Sequence, residues 1–167
     1  GREFAGSYFE HLAGQRGDNP PKVDARSALL AYRAINAAQK AGLVRSAHDC
    51  AEGGLAACVT EMCIGGRLGA KLQLRQEMAA TDSDIDDNVL MFAESNSRIV
   101  LEVEPANEAK LRALFEAVPI FDIGEVTRQP QLTVQGLQGT VPIDAPLNDL
   151  VAAWREIAPH HSEAQRA

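Results

Sequence analysis

An α+β fold, with a mixed sheet flanked by helices, is the architecture this sequence predicts. Three observations carry that prediction. Helical and strand-like segments alternate along most of the chain, as in layered folds of helices on a sheet. The strand segments alternate apolar with polar residues, unlike the continuous apolar runs of strands buried on both faces. Near the C-terminal end, Leu132–Val134 and Thr140–Ile143 flank a Gly-containing turn and read as a hairpin, hence an antiparallel pair.

Taken in order, residues 1–21 carry Gly6, Gly14, Gly17 and Pro20-Pro21, which break any long helix. They read as a lead-in segment, with one or two helical turns over Tyr8–Leu12. Asp24 is placed to cap a helix running to Lys40, with Leu29, Leu30, Tyr32, Ala34, Ile35 and Ala38 as its apolar face and Gly42 just past its end. Leu43–Ala47 reads as a short buried strand. Glu52–Ile64 reads as a helix apolar nearly all round, and so deeply buried. Gly69–Leu74 alternates Ala70, Leu72 and Leu74 with Lys71, Gln73 and Arg75, a strand pattern.

The acids Asp82, Asp84, Asp86 and Asp87 follow. Three of them share the first ligand positions of a calcium loop, but that loop's glycine is absent and Ala93 falls at its twelfth position. Acids favoured by a helix macrodipole, ahead of a short helix over Val89–Phe92, are the reading preferred here. Arg98–Val103 is a strand, and Pro105 starts a helix that extends to Ala117. Ile120–Val126 is a strand, with Gly124 a candidate bulge. Pro146–Ile157 is a final amphipathic helix, with Leu147, Leu150, Val151 and Trp154 at helical spacing and Trp154 read as a packing anchor. The tail from His160-His161 onward reads as frayed.

At 167 residues, 46% hydrophobic and 23% charged, the chain has the composition of one globular domain. Its net charge of −7 argues against general binding of nucleic acid or anionic membrane. No stretch approaches 18 consecutive apolar residues. Cys50, Cys58 and Cys63 match no metal-ligand spacing and read as buried reduced thiols of a cytoplasmic protein. A chain beginning Gly-Arg-Glu-Phe reads as an excised or processed piece of a longer protein.

Polar chemistry concentrates in two stretches. Between the first strand and the buried helix lies His48-Asp49-x-x-Glu52-Gly53-Gly54. His48 is either a general base or phosphate donor, or a core histidine bonded to backbone. Asp49 and Glu52 suit water-mediated Mg²⁺, with Asp49 the candidate metal ligand, yet they also have capping-box spacing, the reading preferred for Glu52. Gly53 and Gly54 allow positive φ or close backbone approach. The second stretch is Glu94-Ser95-Asn96-Ser97-Arg98, whose hydroxyls, amide and guanidinium suit a phosphate monoester, with Glu94, Ser95, Ser97 and Arg98 as candidates. A polar surface turn is the alternative. No Walker-type loop, Gly-x-Ser-x-Gly elbow or complete catalytic set is present.

Three pieces carry a family resemblance: Ala47-His48-Asp49-x-x-Glu52-Gly53-Gly54-Leu55-Ala56 with Gly65-Gly66-x-Leu68-Gly69-Ala70, then Phe92-Ala93-Glu94-Ser95-x-x-Arg98-Ile99-Val100, and more weakly Glu3-Phe4-Ala5-Gly6-Ser7-x-Phe9. In that order and spacing they resemble the C-terminal domain of the AIR-synthase-related ATP-dependent enzymes. Within that superfamily the second repeat of phosphoribosylformylglycinamidine (FGAM) synthases is most similar. Ala93 stands where the family usually has glycine. The resemblance implies a layered mixed-sheet domain spanning residues 22–167, preceded by a linker, 1–21, from an N-terminal domain.

It further implies a purine-biosynthesis ligase that turns an amide into an amidine with ATP and glutamine-derived ammonia. ATP and Mg²⁺ would be held mainly by the N-terminal domains, so this piece would help to complete a substrate and nucleotide cleft and be inactive alone. Expected partners are the rest of the synthase chain, a phosphorylated ribonucleotide and, in the short form, a glutaminase subunit and a small accessory subunit. Rival readings are a non-catalytic structural module of the same enzyme, or another superfamily member such as AIR synthase or selenophosphate synthetase.

Overall fold

The computed structural model describes residues 3–14, 17–79 and 85–157. The expected α+β class holds. Helix α1 spans Tyr8–Ala13, α2 Ala25–Lys40, strand β1 Val44–Asp49, α3 Gly54–Gly66 and β2 Gly69–Gln73. They are followed by α4 Asp87–Phe92, β3 Ile99–Val103, α5 Glu108–Leu114, β4 Gly124–Thr127, β5 Gln131–Gln135, β6 Ile143–Pro146 and α6 Leu147–Ile157. Among the described residues the strands form two sheets. One pairs β1 with β3 antiparallel, and the other is mixed, in the order β4-β2-β5-β6 with β2 and β5 parallel.

Helix α3 sits at the centre. It packs on α4, α6, β1 and β2, and buries Leu55, Cys58, Val59 and Cys63 against Leu132 and Val134 of β5 and Leu147 of α6. Its apolar character matches neighbours on several sides, although Ala57, Thr60, Glu61 and Ile64 remain half-buried. A second cluster joins Ala34 and Ala38 of α2 to Leu43, Leu111 and Phe115 beneath the β1–β3 pair.

The ends of α2 follow from its sequence. The Asp24 side chain accepts from the N–H groups of Arg26 and Ser27 and, at 2.7 Å, from the Ser27 hydroxyl. Those bonds, the hydroxyl's first, hold its carboxyl below the ordinary value. At the far end Gly42, at φ +67°, donates to the Gln39 carbonyl, while Leu43 donates to that of Ala38. This is a Schellman closure, with glycine in the left-handed residue's place.

The buried face of α2 differs from expectation. Ala28, Ala31, Ala34 and Ala38 face inward, while Leu29, Leu30 and Tyr32 stay exposed, Tyr32 by 50%. A stripe of methyl groups lets the helix axis approach its neighbours closely, and the larger side chains flank the contact. Trp154 also departs from its expected role. It is 55% exposed, because Leu147, Leu150 and Val151 already cover the core and α6 runs past it.

Smaller differences concern boundaries. Strand β1 continues to Asp49, and α3 begins two residues later than the pattern predicts. The Ile120–Val126 strand is regular only from Gly124, although the Ile123 carbonyl still accepts from Gln73. Helix α5 stops at Leu114 instead of Ala117. The hairpin is real, with β6 displaced to Ile143–Pro146. Asp86 caps α4 by accepting from Val89 at 2.9 Å, and Asp87 reaches the hairpin loop, taking the Leu137 N–H and the Thr140 hydroxyl. Asp82, Asp84 and the His160-His161 tail lie outside the described residues.

Candidate functional site

The turn joining α4 to β3, residues 93–98, is where the three sequence pieces meet. The lead-in segment docks on it first. Phe9 stacks on Phe92 with ring centroids 5.1 Å apart, Phe4 stacks on Phe9 at 5.2 Å, and the Glu94 N–H donates to the Glu3 carbonyl. From the other side, the Gly53 N–H donates to Glu94 Oε1 at 2.9 Å. The Cys50 N–H continues the β1–β3 ladder by donating to the Arg98 carbonyl.

This geometry settles what caps α3. Its cap residue, Gly53, has φ +76° and no side-chain acceptor of its own. Neither Asp49 nor Glu52 forms the expected capping box, since Asp49 is still in β1 and Glu52 precedes the cap. Instead, Glu94 brings a carboxylate to the positive end of α3 from 41 residues away. The next residue, Gly54, has φ +63°, and a Cβ there would lie 2.7 Å from the Met91 carbonyl oxygen and 2.9 Å from that of Ala93. Both uses expected of the glycine pair, positive φ and close approach, are therefore present.

Arg98 is also engaged within the domain. Its Nη1 donates to the Ala93 carbonyl at 3.0 Å and its Nη2 to that of Leu90 at 3.1 Å, closing the C-terminal end of α4. Ser97 has φ +64°, a conformation unusual for a residue with a side chain, and its Oγ is 3.1 Å from the Tyr32 hydroxyl. The helical pattern assigns Tyr32 to the apolar face of α2, and nothing local signals a partner 65 residues away. No hydrogen bond among the described residues engages the side chains of Ser95 or Asn96.

Burial alternates along β1, with His48 half-buried and Asp49 exposed, yet the His48 Nδ1 lies 3.6 Å from Asp49 Oδ1. The His48 Nδ1 donates to the Asp49 carbonyl at 2.8 Å, and Nε2 lies 3.1 Å from Glu61 Oε2. Its ring is thus bonded to backbone through one nitrogen and faces a carboxylate with the other, while the side chain stays one-third exposed. The Asp49 side chain is 73% exposed, and Glu52 is exposed too. Mg²⁺ is commonly held by one or two carboxylates together with phosphate oxygens. Among the described residues no three His, Cys, Asp or Glu side chains are grouped as metal ligands.

Cys50, Cys58 and Cys63 are free and buried. The Cys58 thiol donates to the His48 carbonyl at 3.6 Å, and Cys50 beside it, together with burial, pushes its pKa upward. Burial does the same to Cys63. No helix of the described residues is long and apolar enough to cross a membrane.

Comparison with known proteins extends this picture. Residues 3–136 match the model of the AIR synthase related protein, C-terminal domain. Thermotoga maritima PurL complexed with FGAR is similar at TM-score 0.71 and 19% identity, covering 83% of this chain and 23% of that one. The T. maritima PurLQS structure is similar at TM-score 0.67 and 21% identity, covering 87% and 24%. PurL of that organism complexed with ATP matches at TM-score 0.61 and 22% identity, covering 72% and 21%. At these identities the likeness shows the fold. The chain spans about a quarter of the length of these structures.

Proposed function

This chain belongs to the AIR synthase related family, as a C-terminal domain, and we propose that it serves in a phosphoribosylformylglycinamidine synthase of purine biosynthesis. One observation carries the reading. The three separated pieces of sequence that resemble that enzyme converge on the 93–98 turn, and two polar side chains there, Ser95 and Asn96, have no hydrogen-bond partner among the described residues. Structures of similar fold are PurL complexes with FGAR and with ATP, which supports a phosphorylated ribonucleotide and a nucleotide as ligands of the assembled enzyme.

In this reading the domain supplies one wall of the substrate cleft. Ser95 takes a phosphate or ribose oxygen, with Glu94, Ser97 and Arg98 fixing the turn that presents it. Asp49 at the end of β1 and Glu52 before α3 are exposed, with His48 beside Asp49. ATP and Mg²⁺ are bound mainly by other domains. ATP activates the substrate amide oxygen as a phosphate ester, and ammonia displaces that phosphate to leave the amidine. Glutamine-derived ammonia arrives from a glutaminase subunit, assembled with a small accessory subunit, in a cytoplasmic complex. The full-length protein should convert formylglycinamide ribonucleotide with ATP and ammonia, and the isolated chain should not. Failure of the full-length protein, or turnover by the chain alone, would refute the assignment.

A second reading has its own support. Glu94 and Arg98 both spend hydrogen bonds on this domain's backbone, as a purely bracing module would. Variants of Ser95 separate the two, since bracing does not require that hydroxyl.

A further inference from the structure

We infer that Tyr32 is a positioning residue for the substrate turn. Its phenol holds Ser97 in the left-handed conformation that shapes the Ser95-Asn96 tip. The inference rests on the reading that this tip receives the phosphorylated ribonucleotide.

Other contacts anchor the two ends of the turn. Glu94 is tied to the start of α3, and Arg98 to the carbonyls of Leu90 and Ala93. Between these anchors the backbone must reverse through Ser97 at φ +64°. A Cβ disfavours that region, so the residue needs a compensating contact to populate it. The contact comes from α2, where Tyr32 OH lies 3.1 Å from Ser97 Oγ. Helix α2 is itself closed at both ends, by the Asp24 cap and the Gly42 turn. A half-exposed phenol on a braced helix can therefore hold the tip without being part of the core.

Ser95 and Asn96, whose side chains make no hydrogen bond among the described residues, directly precede the residue that Tyr32 holds. Releasing Ser97 would let the tip sample other conformations. Ligand binding would then have to offset the cost of ordering it. The consequence is a weaker ground-state complex with unaltered chemistry.

Steady-state kinetics of the full-length synthase, varying formylglycinamide ribonucleotide, test this. Tyr32→Phe should raise KM by about three- to tenfold, the range of one neutral hydrogen bond, with kcat within about twofold. Ser97→Ala, which keeps the Cβ but removes the hydroxyl, should do the same, and the double variant should be no worse than either alone. Ser97→Gly adopts the turn without help, so adding it to Tyr32→Phe should bring KM back toward wild type. Thermal midpoints within a few degrees of wild type should accompany all four.

Additive effects of Tyr32→Phe and Ser97→Ala would overturn the coupling, as would absence of rescue by glycine. If Ser95→Ala raises KM but Tyr32→Phe does not, the inference fails while the assignment of the turn stands. If neither variant moves KM, the turn is not the substrate site and both readings fall.

Discussion

Replacing Gly54 by alanine tests the contact that joins the start of α3 to the candidate site. Two costs add at this position. The first is conformational: φ is +63°, where an L-residue with a Cβ is disfavoured by about 1 kcal/mol. The second is steric. The new Cβ would lie 2.7 Å from the Met91 carbonyl oxygen, 2.9 Å from that of Ala93 and 2.9 Å from the Phe92 carbonyl carbon. All three are backbone atoms, so no side chain can rotate away and α3 must separate from α4. Overpacking of this kind costs about 1–3 kcal/mol. The sum is about 2–4 kcal/mol in the free energy of unfolding.

Two other glycines serve as internal controls. Gly42, at φ +67°, has no atom within 4 Å of the place a methyl group would occupy, so Gly42→Ala should lose only the conformational part, about 1 kcal/mol. Gly65 is helical with open space beside it, and Gly65→Ala should gain about 0.5–1 kcal/mol. Urea unfolding followed by circular dichroism gives all three values. A Gly54→Ala loss no larger than that of Gly42→Ala would refute the close-approach argument.

Glu94→Ala should destabilise by about 1–2 kcal/mol through loss of the α3 cap, and Glu94→Gln, which keeps an acceptor, by less; equal losses in urea unfolding would mean that capping is not its role. Asp87→Ala removes the acceptor of the Leu137 N–H and the Thr140 hydroxyl, and should cost about 2 kcal/mol and raise amide exchange in the hairpin loop first. The folded-state pKa of Asp24 is lowered from 3.8, so its charge stabilises above that value, and the benefit disappears as pH falls through the lower folded value. The difference in melting temperature between wild type and Asp24→Asn should therefore be constant near neutrality and shrink below about pH 3.8. A difference that grows on acidification would reverse the assigned sign.

Local signals in the sequence translated well into structure. The Asp24 cap, the Gly42 closure and the buried character of α3 each depend on residues within one or two turns of one another. The α2 face was harder to read because two sets of residues share helical spacing, and hydrophobicity favours Leu29 and Tyr32 over the alanines that pack. Close packing selected the smaller stripe, which no periodicity count weighs. The α3 cap was unreadable for a different reason. Asp49 and Glu52 have the local spacing, but β1 pairs with β3 up to Asp49, which holds that residue extended while Glu94 supplies the acceptor from another segment. The same applies to the site. Its segments were visible as motifs, whereas the Tyr32 contact and the anchoring of Arg98 exist only once α2, α4 and β3 are assembled.

The central claim is that the tip of the 93–98 turn touches substrate. Calorimetric titration of the full-length protein with formylglycinamide ribonucleotide, wild type against Ser95→Ala/Asn96→Ala, tests it most directly. Neither side chain makes a hydrogen bond among the described residues, so the double variant removes ligand contacts without disturbing the fold. The account predicts a loss of about 1–3 kcal/mol in binding, roughly five- to 150-fold in Kd, with an unchanged melting temperature. An unchanged Kd would contradict it and leave the domain a brace for a site built elsewhere.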